Sequence, residues 1–337
     1  MEYQCNLINS PISSKDWYYS KIVRSQVLPL TYSLEQYCGE IKNQGSAGLC
    51  HSFAGSSVKD IQENIETGFK YNLSPLYLAK KVKSIDSFPD IEGSDLLSVC
   101  KALQSEGTIK EMYYPYNQYK AGSLEFPECK YTKIPKYKIK NYARCDTVDS
   151  IKQAIYNNKP VLLGIECTNN IYDLDNNSSK FMKMPTGYAI GGHAIVVIGY
   201  DDSLVHTYED GRSFKGFFRI QNSWGTNWGD NGFAWLPYEY LNFKAYIIAD
   251  NYLSFFNEAW AMVDLENDPI NTTTIVMQID NKTITIDGKP IITDQAPIID
   301  KTTSRTLVPL RVLSEALGFT VGWDGKTKTI TISKELE

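Results

Sequence analysis

The stretch that decides the fold is NQGSAGLCHSF, Asn43 to Phe53. Glycine, serine and alanine break the chain just before a cysteine. The residues that follow, CHSFAGSSVKDIQENIE, carry Phe53, Val58, Ile61 and Ile65 at mixed three- and four-residue spacing, the period of an amphipathic helix. The pattern predicts a loop that enters a helix with Cys50 in its first turn. Unpaired N–H groups and the dipole at a helix N-terminus favour a thiolate over a thiol, so this is a position a nucleophilic cysteine needs. An ordinary buried thiol fits the same stretch.

Two later segments bear on that choice. In GYAIGGHAIVVIGYDD the run Ala194 to Ile198 reads as a buried strand, with Gly191 and Gly192 permitting close approach of another chain and His193 at the strand's entry. In FFRIQNSWGTNWGDNGFAWL the residues Phe217 to Gln221 read as a strand that delivers Asn222, with Trp224 and Trp228 able to shield it. Each alone has a plain alternative, a satisfied core histidine and a Gly- and Trp-rich loop.

Composition limits the rest. A chain of 337 residues with 42% hydrophobic content supports one large domain or two smaller ones. A net charge of −5 offers no basic field for nucleic acid. No apolar run approaches the ~20 residues of a membrane span, and the first 30 residues lack the apolar core of a signal peptide. The seven cysteines form no close CxxC pair and only three histidines are present, so neither a disulfide framework, nor a metal site, nor a cofactor is expected.

The chain changes character near residue 265. TTIVMQIDNKTITIDGKPIITDQAPIID reads as a meander turning at Asp-Asn and Asp-Gly. TLVPLRVLSEALGFTVGWDGKTKTITIS then places Leu310, Leu313, Ala316 and Leu317 at helical spacing, stops that helix at Gly318 and ends in a hairpin through Asp324-Gly325. The expected organisation is an N-terminal extension over residues 1–26, read as a short pro-segment, a main domain over 27–263, a polar linker over 264–271 and a small β-rich domain over 272–337.

Taken in chain order, the cysteine, histidine and asparagine segments, with VLPLTYSLEQYCGEIKNQG, LSPLYLAKK, GSDLLSVCKALQSEG, YYPY and KPVLLGI, resemble the papain-like cysteine peptidases across nearly all of residues 27 to 262. The resemblance implies an α+β, two-lobed fold: a helical lobe holding Cys50 and a β-barrel-like lobe holding His193 and Asn222. It implies Cys50 as nucleophile, His193 as general base and acid, Asn222 as the residue orienting the imidazole, and Gln44 as an oxyanion-hole donor. Gly93, in IEGSD, falls where the family hydrogen-bonds an extended peptide, although a turn before a helix capped by Ser94 reads equally well. Gly192 joins it as a substrate-contacting glycine, and Trp224 would flank the leaving-group side.

Three departures stand out. Ala47 replaces a cysteine that the family normally cross-links. His51 replaces a tryptophan next to the nucleophile, and either alters the packing there or adds a titrating group whose positive form would favour a thiolate. Asn222 lies farther from Cys50 than the ~130–150 residues usual in the family, and SLVHTYEDGRS, read as a lengthened surface loop, would absorb the excess. The tail resembles the N-terminal domain of copper amine oxidases, a stalk-type module. It contains neither histidine nor cysteine, so copper is not implied. A spacer, or a module that binds cell wall or another envelope partner, are both open.

The expected activity is hydrolysis of peptide or protein substrates through a thioester acyl-enzyme. The competitors are acyl transfer to an amine, transglutaminase-like, and an inert peptidase-like binding module. The accessory module suggests an extracellular or envelope-associated protein of a Gram-positive bacterium, with a cytoplasmic one as the alternative. Met1 to Arg24 are read as packing on the surface or partly covering the cleft, with Lys21 and Arg24 as cleavage candidates.

Overall fold

A computed structural model describes residues 3–23, 26–131, 133–176, 179–248, 251–254, 256–264, 275–286, 289–317 and 319–333. The chain divides into two compact units, residues 1–268 and 269–337.

The first unit opens with a short helix, α1 (Tyr19–Ile22), and a short strand, β1 (Thr31–Ser33). Three helices follow, α2 (Cys50–Thr67), α3 (Pro75–Lys83) and α4 (Leu96–Ser105). Each boundary has a local cause. Gly68 ends α2 at φ 73°, a left-handed conformation that glycine adopts without steric cost. Ser74 caps α3 by accepting the Tyr77 N–H at 3.0 Å, and Pro75 stands where a missing N–H costs nothing. Asp95, rather than the expected Ser94, caps α4 by accepting the Ser98 N–H at 2.9 Å, because its carboxylate reaches one turn ahead.

Beyond these helices lie β2 (Ile139–Arg144), α5 (Val148–Tyr156), β3 (Val161–Cys167), β4 (Gly191–Thr207), β5 (Ser213–Gln221), β6 (Phe233–Pro237), β7 (Lys244–Ile248), β8 (Asn251–Ser254) and β9 (Phe256–Asp264). An antiparallel sheet runs β2-β9-β3-β4-β5-β6, with β1 added to β4. Helix α2 packs on β4 as well as on α3 and α4, which brings the helical and sheet layers together at the N-terminus of α2. The core joins Val58, Ile61 and Leu103 of the helices to Leu163, Val197 and Trp260 of the sheet. A second cluster gathers Ala47, Leu49 and Phe53 against Leu76, Tyr77 and Tyr114.

Two expectations change. SLVHTYEDGRS is not a loose loop: β4 and β5 stay paired out to Thr207 and Ser213, and only Tyr208 to Arg212 turn. Alternating burial along Asp202 to Thr207 marks a half-exposed strand, a period-2 signal easily missed in so polar a segment. Asp264, expected to open the linker, is instead the last residue of β9, paired with Ile139. The remainder of the linker, residues 265–271, lies outside the described residues, as do Arg24, Gly318 and the expected Asp-Gly turn at 287–288.

The second unit contains a meander of β10 (Ile275–Val276), β11 (Thr283–Ile286) and β12 (Lys289–Ile292), then the pair β13 (Ile298–Asp300) and β14 (Arg305–Leu307). Helix α6 (Leu310–Ala316) leads to the hairpin β15 (Thr320–Asp324) and β16 (Thr329–Ser333), whose turn starts at Gly325, directly after Asp324 closes β15 opposite Thr329.

Candidate active site

Cys50 is the first residue of α2 and is fully buried. Its sulfur lies within reach of three backbone N–H groups, those of His51, Ala194 and Asn6. Ala194 follows His193 on β4, so the nucleophile's helix and the histidine's strand meet at this point. Burial pushes the Cys50 thiol up to about 12, against the pull of those N–H groups.

His193 enters β4 opposite Ile165 and is also fully buried. Asn222 follows the last residue of β5, and its Oδ1 stands 2.8 Å from His193 Nε2. The same Oδ1 accepts the Ser223 backbone N–H at 2.8 Å, which identifies it as the amide oxygen. Nε2 of His193 therefore carries the proton and donates it to Asn222, leaving Nδ1 as an acceptor. That Nδ1 is buried and has no hydrogen-bond partner among the described residues. Burial lowers the imidazole to about 4, partly opposed by the bond to Asn222. Thiol and imidazole are both neutral in this closed state.

Gln44 is held on three sides. Its backbone N–H donates to Ser223 O at 2.9 Å, its Oε1 accepts from Ser223 Oγ at 2.7 Å and its Nε2 donates to Ala47 O at 2.9 Å. A second, longer bond runs from Nε2 to the carbonyl of Gln4 at 3.3 Å. The Tyr116 hydroxyl donates to the Gln44 carbonyl at 2.6 Å. Ser223 and Tyr116 were not legible as supporting residues. The serine's only signal was its place beside Asn222.

The N-terminal segment occupies the cleft as a strap. Tyr3 stacks on Trp224 with ring centroids 4.5 Å apart and planes 4° apart, and its carbonyl accepts from the Tyr172 hydroxyl at 2.9 Å. Trp224 in turn lies 4.9 Å from the His193 ring. Asn6 covers Gly48 and Gly93, so closely that a Cβ on Gly93 would run into its carbonyl oxygen. Leu7 donates its N–H to Gly192 O at 2.8 Å, and Ile8 donates to Ser94 O at 3.0 Å. Ser10 closes the path with a hydroxyl bond to Asp95 Oδ1 at 2.9 Å. All three residues expected to contact substrate, Gly93, Gly192 and Trp224, therefore touch the strap. Farther on, Arg144 ties Asp16 down at 3.1 Å.

The two substitutions beside the nucleophile resolve differently. Ala47 is buried in the second apolar cluster, where a small side chain suffices. His51 is fully buried, with Nε2 3.1 Å from the Glu92 carbonyl and Nδ1 2.8 Å from Ser52 Oγ. Burial drops its pKa to about 4, so it is neutral near pH 7 and does not act as the positively charged neighbour of the two alternatives raised above. All seven cysteines are free.

The family model described as papain family cysteine protease matches residues 31–250. The chain belongs to the papain family of cysteine proteases. A second model, the copper amine oxidase N-terminal domain, matches residues 262–332. Among curated relatives, an uncharacterized peptidase C1-like protein of Acanthamoeba polyphaga mimivirus is 24% identical over 255 residues, 71% of this chain and 74% of that protein. Chymopapain of Carica papaya is 29% identical over 199 residues, 57% of this chain and 50% of its own length. Peptidase 1 of Euroglyphus maynei is 26% identical over 58% of this chain and 56% of its own, so the chain spans only about half of these last two relatives. Xylellain, a cysteine protease from Xylella fastidiosa, has the same fold at a TM-score of 0.60 and 22% identity, covering 79% of this chain and 98% of that structure. The cysteine protease and lectin-like domains of Cwp84 from Clostridium difficile also match at a TM-score of 0.60 and 20% identity, over 82% of this chain and 58% of theirs.

Proposed function

We propose that this protein is a cysteine endopeptidase that uses Cys50, His193, Asn222 and Gln44 to hydrolyse peptide bonds, and that the strap Tyr3–Ser10 keeps it latent. The observation that carries the catalytic reading is the His193 ring: one nitrogen is fixed by Asn222, while the other is an unpartnered acceptor on the strand that meets Cys50. With the strap displaced and water admitted, the thiol proton moves to Nδ1. The thiolate attacks the scissile carbonyl carbon and the C=O pair collapses onto oxygen, with the Gln44 amide and the Cys50 N–H as its donors. The C–N bond then breaks, the amine leaves with the proton from Nδ1, and a thioester remains. Water, deprotonated by His193, opens the thioester and restores the thiol.

Latency follows from direction. A substrate whose acyl side lies along Gly93 and Gly192 and whose leaving group lies at Trp224 runs from the first toward the second. The strap runs the other way, with Tyr3 at Trp224 and Leu7 and Ile8 at Gly192 and Ser94. Its peptide bonds meet the nucleophile with reversed polarity, so it blocks without being a good substrate. Release opens the cleft to peptides.

Replacing Cys50 by Ala tests the catalytic reading. Turnover of an unblocked peptide should vanish, and equal rates in both proteins would refute the assignment. Amine added to the assay separates hydrolysis from acyl transfer by its products, and alkylation of Cys50 no faster than that of the other thiols once the strap is loosened, as by Leu7→Ala, would favour an inert module. The terminal unit fits a spacer or an envelope-binding module outside the cell, and co-sedimentation with purified cell wall checks the second.

A further inference from the structure

Glu92 sits immediately before Gly93 and is buried. No basic side chain is paired with it among the described residues. Its carboxylate is instead spent on three donors from two separate segments. Oε2 accepts the Gly48 backbone N–H at 2.6 Å, while Oε1 accepts the Gly122 N–H at 2.6 Å and the Tyr119 hydroxyl at 2.8 Å. The backbone carbonyl of the same residue accepts a hydrogen bond from His51 Nε2–H at 3.1 Å. Both sides of the nucleophile therefore hang on Glu92, through Gly48 just before Leu49 and Cys50, and through His51 just after.

The loop so held also carries the oxyanion donors. Between Gln44 and Cys50 its internal ties are Gln44 Nε2 to Ala47 O at 2.9 Å and the Ala47 N–H to Gln44 O at 3.3 Å. Both bonds close within the loop itself and tie it to no other segment, and Ala47 has no sulfur with which to form a cross-link. The short bond from the Gly48 N–H to a carboxylate oxygen ties the Ala47–Gly48 peptide to the Gly93 segment, with the added strength of an ionised acceptor. From the far side the 116–126 segment braces both ends: Tyr116 holds the Gln44 carbonyl while Tyr119 and Gly122 hold Glu92.

Resting on the peptidase reading, we infer that Glu92 is a positioning residue that aligns Cys50 and its oxyanion donors by anchoring Gly48, a noncovalent tie between the nucleophile loop and the substrate-binding Gly93 segment. An acceptor with two free oxygens is required. An amide of the same shape offers one oxygen and one NH2, so it must turn a donor toward either Gly48 or the Tyr119 and Gly122 pair.

The test is Glu92→Gln in the full chain, read by two rates that respond differently. The kcat for a fluorogenic peptide needs the aligned oxyanion donors, whereas alkylation of Cys50 by iodoacetamide needs the nucleophile and an open strap but no oxyanion donor. At saturating peptide the strap is displaced by competition, so kcat reports the chemistry and KM carries strap closure. The expected result is a fall in kcat of about 10- to 100-fold, the scale of a misplacement near 1 Å, with the alkylation rate at saturating reagent nearly unchanged. Tyr119→Phe, which leaves the Gly48 bond in place, should lower kcat only a few-fold. An unchanged kcat in Glu92→Gln overturns the inference, as does a changed alkylation rate, a rise marking general loosening that exposes the buried thiol and a parallel fall marking damage to the nucleophile itself. A Tyr119→Phe loss as large as that of Glu92→Gln would move the effect to the 116–126 segment and overturn it equally. Wild-type protein that alkylates at Cys50 yet never cleaves peptide would sink the peptidase reading itself, a result distinct from the others, and Glu92 would have no reaction to serve.

Discussion

Leu7→Ala should convert the closed protein to a far more open one without touching its chemistry. Leu7 is 6% exposed, and its side chain lies against the Gly164 backbone, where a Cβ would meet Leu7 Cδ2 at 2.7 Å, beside Leu96 and Glu258. Truncation removes three buried carbons, worth about 2.4 kcal/mol at roughly 0.8 kcal/mol each. The backbone bond to Gly192 survives the change, so this figure is the differential cost to closure. A loss of that size shifts the open-to-closed ratio by about 50-fold. Because strap and peptide compete for one cleft, the gain appears in KM. Steady-state hydrolysis should show KM lowered by about 50-fold while the closed state still dominates, with kcat unchanged. A KM equal to wild type would show that the strap does not compete with substrate. A kcat that rises at constant KM would show that it acts on the chemistry instead.

Other outcomes follow from the same geometry. His51 is neutral when folded with a pKa near 4, below its unfolded value, so its contribution to stability is complete above about pH 6.5 and is lost as pH falls toward 4. His51→Gln should therefore flatten the fall in unfolding free energy between pH 7 and pH 5 by about 2 kcal/mol, measured by urea denaturation at both pH values, and an unaltered pH slope would contradict a neutral buried imidazole. Asn222→Ala removes the only acceptor shown for His193 Nε2, and kcat should drop by at least about 10-fold in stopped hydrolysis assays; wild-type rates would remove Asn222 from the site. A chain ending at residue 268 should keep the kcat of the full protein, since the two units are separately compact, and inactivity of a folded truncation would tie the second unit to catalysis.

Much of the candidate site's layout was legible because its elements announce themselves. A helix period behind Cys50, an apolar strand beginning at His193 and another leading to Asn222 show in the residue pattern alone, and the structure builds α2, β4 and β5 where those patterns predict them. The strap was foreseen only as a vague covering segment. Its docking relies on backbone bonds at Gly192 and Ser94 and on one stacked ring, and main-chain pairing leaves no periodic trace in the strap's own residues. Glu92 was passed over for a related reason. An acidic residue before Gly93 reads as a solvated turn unless one knows that Gly48, Tyr119 and Gly122 converge on it, three donors from two segments remote from it in the chain. The neutrality of His51 was equally invisible, since it follows from complete burial and not from any neighbouring charge in the sequence.

On the latent reading proposed above, the strap belongs to the chain it blocks, and this fixes the molecularity of latency. A tethered segment faces its cleft at an effective concentration on the order of millimolar whatever the protein concentration, so dilution cannot awaken the enzyme. Release is unimolecular and its rate is the same in a crowded or a sparse solution. Severing the tether, by contrast, turns the segment into a free peptide whose grip falls with every dilution, and a cut by a neighbouring open molecule makes the onset of activity autocatalytic, with a lag that shortens as protein concentration rises.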